Sequence, residues 1–228
     1  MLLLALSVFI FVSLFLYYFM PKPEKPNLSK KRIACVGDSI TFGAGVILSR
    51  HNAWPHLLEK ELGNSFQVIN YGLSWATLQM EGNLPYRRFG FMKRMEDAKP
   101  NTVLFMLGSN DSKPCNWQAK RFREQYETTI YGMLQKEHTY QLILMVPPRA
   151  FSNKMLKRIL FGIDNEVIGR DIRNTILDVG SKYQIPVVDL YEFTKDHPEY
   201  FADGVHPNAA GNAAIAKYIY KTVFSQTP

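Results

Sequence analysis

The sequence predicts an α/β protein, a three-layer α/β/α sandwich around a five-stranded parallel sheet. Three observations carry that reading. Five short apolar runs recur along the chain, and each is uninterrupted, as strands covered on both faces are. Longer segments suited to helices separate them, the alternation that parallel sheets require. Turn-forming residues stand directly after the runs, as in Gly37-Asp38 and Gly108-Ser109, so the polar chemistry gathers at strand ends.

The strands are expected near residues 33–36, 66–70, 102–107, 141–146 and 186–190. Ile33-Ala34-Cys35-Val36 and Leu142-Ile143-Leu144-Met145-Val146 are typical of them. Helices are expected near 53–62, 85–98, 116–137, 164–183 and 207–224. Gly63 fits a C-cap to the first helix, and Pro207 fits the first turn of the last. These elements occupy residues 32–228 and form one domain. Hydrophobic residues make up 46% of the 228, enough for a sizeable core.

Two appendages precede that domain. Residues 2–20 carry no charge and as a helix would extend roughly 28 Å, about the thickness of a bilayer's hydrocarbon core. Tyr17 and Tyr18 stand near one end, as an interfacial belt requires. A basic n-region is missing, and no small-x-small site precedes Pro21, so residues 1–20 read as a retained transmembrane anchor rather than a cleaved signal peptide. Residues 21–31, with three prolines and alternating charge, read as a short stiff linker. The net charge of +7 is local: Lys22, Lys25, Lys30, Lys31 and Arg32 against Glu24 place +4 in the first 32 residues. That distribution gives no case for nucleic acid and suits anionic lipid headgroups. By the positive-inside rule the domain would be cytoplasmic.

Four segments carry chemistry. Val36-Gly37-Asp38-Ser39-Ile40-Thr41 places Ser39 on the turn after the first strand, at the sheet edge where open α/β sheets bind ligands. A serine hydroxyl needs a base, and Asp203-Gly204-Val205-His206-Pro207 supplies a histidine with a carboxylate to hold it. Asn70-Tyr71-Gly72-Leu73-Ser74 and Gly108-Ser109-Asn110-Asp111 follow the second and third strands. An asparagine amide with backbone N–H groups can serve a tetrahedral oxyanion, and a glycine at 72 lets the backbone come close. Each segment alone is an ordinary turn or cap. All four at strand or helix ends, in this order, point to a serine hydrolase.

In order and context these blocks resemble the SGNH, or GDSL, hydrolases, whose motifs contribute Ser, Gly, Asn and His in turn. The resemblance spans about residues 32–224. It implies the flavodoxin-like strand order 2-1-3-4-5 and two-step acyl transfer. In that scheme Ser39 is the nucleophile, His206 the base and Asp203 its orienter. The oxyanion hole is formed by the Ser39 and Gly72 N–H groups and the Asn110 amide, and no metal or cofactor takes part. Trp75 departs from the pattern, since many members follow the block-two serine with glycine. Many of these hydrolases act outside the cell, which opposes the side chosen by the charge rule.

Gly108 to Pro114, followed by Asn116-Trp117, looks like bacterial members grouped with carbohydrate O-acetyl esterases. The expected substrate is therefore a small-molecule or oligosaccharide acetyl ester, with a lysophospholipid or thioester as the alternative and a non-catalytic carbohydrate- or lipid-binding module as a remote one. Trp75, Trp117 and Tyr86 offer aromatic faces to a sugar or to the core. Residues 147–163, with Arg149, Lys154, Lys157 and Arg158, form a basic-apolar loop after the fourth strand, suited to a substrate lid or a solvated face. Asp111 reads as a cap or an orienter rather than the triad acid. His51, His56, His138 and His197 show no metal-ligand spacing, and there is no Gly-x-Ser-x-Gly elbow or phosphate-binding loop.

Overall fold

A computed structural model describes residues 23–225 except 48 and 152–161. The expected anchor at 2–20, and Lys154, Lys157 and Arg158 of the expected lid, lie outside the described residues. Among those described, no helix is long and apolar enough to cross a membrane.

Five strands form one parallel sheet, β1 (Lys31–Gly37), β2 (Phe66–Gly72), β3 (Thr102–Met106), β4 (Gln141–Val146) and β5 (Val187–Asp189), in the order β2-β1-β3-β4-β5. Each buries both faces because successive side chains alternate between two cores. Ala34, Val36, Val103, Phe105, Leu142 and Leu144 meet helices α3 (Phe91–Asp97), α4 (Ala119–Leu134) and α5 (Arg173–Tyr183) through Met95, Phe122, Tyr126 and Ile176. Ile33, Cys35, Leu104, Met106, Ile143 and Met145 meet α2 (Trp54–Leu62) and α7 (Ala209–Ile219) through Trp54, Leu58, Ile215 and Ile219. Each large side chain so enclosed contributes roughly 1.5–3 kcal/mol. Uninterrupted apolar strands are the sequence trace of this two-sided burial.

Several boundaries shift for local reasons. The helix expected over 85–98 is split, because Gly90 takes a left-handed φ of 71° between a 3-10 turn at Tyr86–Phe89 and α3. The segment expected over 164–183 starts at Asp164, whose carboxylate caps it, and passes through a π-helical turn at Ile168–Ile172 before α5. β5 stops at Asp189, which caps the short helix α6 (Leu190–Thr194). Pro207 does not enter the last helix. Asn208 caps α7 by accepting from the Gly211 N–H, and the Pro207 carbonyl accepts from Asn212 instead. Gly63 ends α2 as expected, at φ 79°.

The described part of the expected linker is pinned. Asn27 donates its N–H to Gln67 Oε1 (2.7 Å), and Gln67 Nε2 donates to the Lys25 carbonyl (3.0 Å). Arg32 fastens the same corner through the carbonyls of Ala98, Lys99 and Lys30. Residues 25–30 thus belong to the folded domain.

Candidate active site

β1 ends at Gly37, and Asp38 caps the single-turn helix α1 (Ser39–Phe42) by accepting from the Ile40 N–H at 2.9 Å. This cap turns the chain sharply and sets Ser39 at the first helical position, above the C-terminal edge of the sheet. Asp38 is fully buried, and burial raises its pKa, with the Ile40 N–H pulling the other way. Ser109 Oγ faces it without making a hydrogen bond of normal geometry.

From the far end of the chain, the loop before α7 brings His206 to the same edge. Ser39 Oγ lies 3.0 Å from His206 Nε2, and His206 Nδ1 lies 2.7 Å from Asp203 Oδ2. The second Asp203 oxygen accepts from the N–H groups of Val205 (2.8 Å) and His206 (2.7 Å). Burial alone would raise the Asp203 carboxyl. The His206 ring, the two backbone donors and the charge of His206 outweigh it, and the pKa falls to about 2. An ionised Asp203 keeps the imidazole proton on Nδ1 and leaves Nε2 to accept from Ser39. Asn212 holds this loop against α2, donating to the Pro207 carbonyl (2.7 Å) and accepting from the Trp54 N–H (2.9 Å).

The third component comes from the turn after β3. Asn110 Nδ2 donates to the Ala76 carbonyl (3.2 Å), which occupies one of its two hydrogens and leaves the other. The Asn110 carbonyl accepts from Asn116 Nδ2 (2.8 Å). Asp111 points away from His206: its oxygens accept the N–H groups of Leu78 and Gln79, both at 2.8 Å. It therefore clamps the loop after β2 onto the loop after β3. Burial drives its carboxyl up to about 7 despite these donors.

Ser39, Asn110 and His206 line one cleft of about 190 Å³, with Ala44, Ser74, Trp75, Lys113, Ile163 and Val205. Trp75 is 44% exposed and takes a left-handed φ of 69°, a conformation that normally falls to glycine.

Three expected site residues stand elsewhere. Gly72 does not present its N–H to the cleft: Asn70 Oδ1 accepts it at 2.8 Å. Its lack of a side chain serves packing, since a Cβ there would stand 2.2 Å from Phe42 N on α1. Trp117 packs on Phe122, with centroids 5.5 Å apart, and borders the core rather than the cleft. Arg149 lies over the rings of Phe151 and Tyr191, at 5.7 and 5.8 Å, and is not in the cleft wall. Tyr86, the other aromatic considered, is buried and donates to the Tyr71 carbonyl. Conversely, Lys113 lies in the wall without any local sequence signal to place it there. A lysine beside a proline in a turn has no local mark of burial.

Comparison with known proteins bears on this arrangement. Residues 35–214 match the model of the GDSL-like Lipase/Acylhydrolase family. An acetylxylan esterase of Xylanibacter ruminicola is 29% identical over 219 residues, covering 88% of this chain and 44% of that protein. This chain therefore spans less than half of that relative. Among solved structures, the native aryl esterase of M. smegmatis superposes with a TM-score of 0.72 at 21% identity, covering 86% of this chain and all of the other. A carbohydrate acetylesterase family member from Sinorhizobium meliloti gives 0.71 at 23%, covering 85% and 97%. At such identities the superpositions speak for the fold.

Proposed function

The chain belongs to the GDSL-like lipase/acylhydrolase family, and from that premise we propose that it hydrolyses short-chain carboxylic esters, chiefly acetyl esters of a carbohydrate, through Ser39. The observation that carries the proposal is the unbroken line Ser39 Oγ, His206, Asp203, opening into a cleft shared with Asn110. Ser39 attacks the ester carbonyl while His206 Nε2 takes its proton, and Asp203 stabilises the resulting imidazolium. The oxyanion is met by the remaining Asn110 Nδ2 hydrogen and by the Ser39 N–H, which as a first-turn amide has no acceptor within its helix. Trp75, whose backbone takes a glycine-like conformation in the cleft wall, replaces Gly72 as the third donor. His206 then protonates the leaving alkoxide, and water repeats the sequence to free the acid.

Size supports a short acyl group. The cleft of about 190 Å³ is smaller than the roughly 300–1,000 Å³ usual for ligand pockets, and a long chain gains only where an apolar channel receives it. The carbohydrate part is supported by the names of the relatives and by the exposed Trp75 ring. A fluorophosphonate probe should label the wild type and leave Ser39→Ala unlabelled. Labelling of neither would indicate a binding module. In a panel of p-nitrophenyl esters, kcat/KM should fall from acetyl to dodecanoyl; the reverse order would replace this reading with a lipase or thioesterase.

A further inference from the structure

Lys113 is the one lysine or arginine among the described residues that line the cleft. Its backbone is fixed by its own carbonyl, which accepts the N–H groups of Asn116 and Trp117, both at 2.8 Å. The residue is only 8% exposed, and its ammonium lies 4.5 Å from the centroid of the Trp75 ring. Among the described residues, Nζ has no hydrogen-bond acceptor, and no carboxylate stands within the 4.0 Å of an ion pair. Asp38 and Asp111 are near enough to act on it electrostatically, yet neither forms an ion pair with it. Asp38 is enclosed beneath Ser39, and both Asp111 oxygens are taken by backbone N–H groups. Partial withdrawal of a cation from water has a cost that pairing offsets. Burial lowers the Lys113 pKa accordingly, while Asp38 acts in the opposite sense. The pairing that the protein withholds is open to a ligand in the cleft, which Lys113 lines together with Ser39, Asn110 and His206.

We propose that Lys113 is a specificity-determining residue that pairs with a carboxylate on the alcohol part of the substrate, so that acetyl esters of acidic sugars are preferred over neutral ones. The proposal rests on the acetylesterase reading: an acetyl group has no charge to offer, so the anion must belong to the alcohol. Trp75 then acts from the opposite direction, its ring holding the ammonium in place and its exposed part flanking the sugar. A charge-assisted hydrogen bond inside a small cleft is worth about a factor of ten or more.

The test compares acetate release from O-acetylated glucuronic acid and from the matching glucuronamide, which is close in size and carries no charge. Wild type should favour the acid by about tenfold or more in kcat/KM, and the preference should shrink as salt is raised. Lys113→Met should abolish the preference, and Lys113→Arg should keep part of it. Equal losses on both substrates in Lys113→Met, or no preference in wild type, would overturn the proposal. Thermal melts of both variants separate misfolding from altered choice. Turnover of neutral p-nitrophenyl acetate reports on the esterase reading by itself. Were that absent, binding of free glucuronate against glucose, followed by tryptophan fluorescence in wild type and Lys113→Met, would still decide for or against a carboxylate site.

Discussion

At the scale of single residues, the proposed chemistry depends on one proton path. Ser39→Ala and His206→Ala should each remove most turnover with the fold intact. The double variant should be hardly worse than either, because both residues serve the same path. Losses that add on a logarithmic scale would break the shared role. Asn110→Ala should lower kcat by roughly 10²–10³-fold, the usual cost of one oxyanion donor. An effect confined to KM would assign Asn110 to ground-state binding. Asp203 adds a signature in stability. Its carboxyl titrates at about 2 when folded and near 3.8 when unfolded, so the folded state binds fewer protons in between. The stabilisation is complete above about pH 4 and is lost as pH falls towards 2. In thermal melts, wild type should exceed Asp203→Asn by a margin that narrows across that window, and a constant margin would contradict the linkage.

At the scale of elements, the cleft depends on contacts between loops. Gly72 on β2 touches the backbone of α1, so Gly72→Ala must push Phe42 and with it the helix that carries Ser39. A destabilisation of roughly 1–3 kcal/mol is expected, the usual cost of overpacking, together with lower turnover. A variant with wild-type stability and reduced kcat alone would return Gly72 to the oxyanion hole. Asp111 joins the loops after β2 and β3, and its pH dependence has the opposite sign to that of Asp203. Folded Asp111 keeps its proton up to about pH 7, whereas the unfolded carboxyl loses it near 3.8. The folded state binds more protons over that interval, so stability declines as pH rises through it. Asp111→Asn should lose roughly 1–3 kcal/mol, because one backbone N–H is left without an acceptor, and its melting curve should lack the decline. Parallel pH profiles of wild type and variant would remove Asp111 from the linkage.

At the scale of the whole molecule, residues 25–30 and the cleft lie at opposite ends of the sheet. β1 begins at Lys31 and Ser39 follows its far end, roughly 20 Å away for a seven-residue strand. We propose from their apolar length that residues 2–20 anchor the protein. Full-length protein should then sediment with membranes and resist carbonate extraction, and mature material should retain Met1–Met20; an N-terminus after residue 20 would indicate a cleaved signal. Removal of residues 1–22 should leave the domain's melting temperature unchanged. Deletion to residue 30 should lower it, because Asn27 and Lys25 bond to Gln67. Equal melting temperatures for the two truncations would show that this corner contributes nothing.

The class of the fold, its five strands and the four segments that meet at one edge were all readable from residue order alone. Burial on both faces forces uninterrupted apolar strands, and parallel connections force chemistry onto strand ends, so both leave local traces. The meeting of Ser39 with Asp203 and His206 was legible for the same reason, since each segment has its own composition. Roles fixed by packing, whether the neighbour is near or far along the chain, left no such trace. Gly72 and Trp75 both belong to the block after β2, yet the neighbouring Asn70 side chain and the approach of α1 commit Gly72 to packing, while Trp75 takes the left-handed turn in the cleft wall. Trp117 and Arg149 were drawn to the cleft by their residue types and withdrawn from it by Phe122, Phe151 and Tyr191. Lys113 went the other way. Whether a lysine is solvated or buried depends on what the fold places over it, and here that is Trp75, 38 positions earlier in the chain.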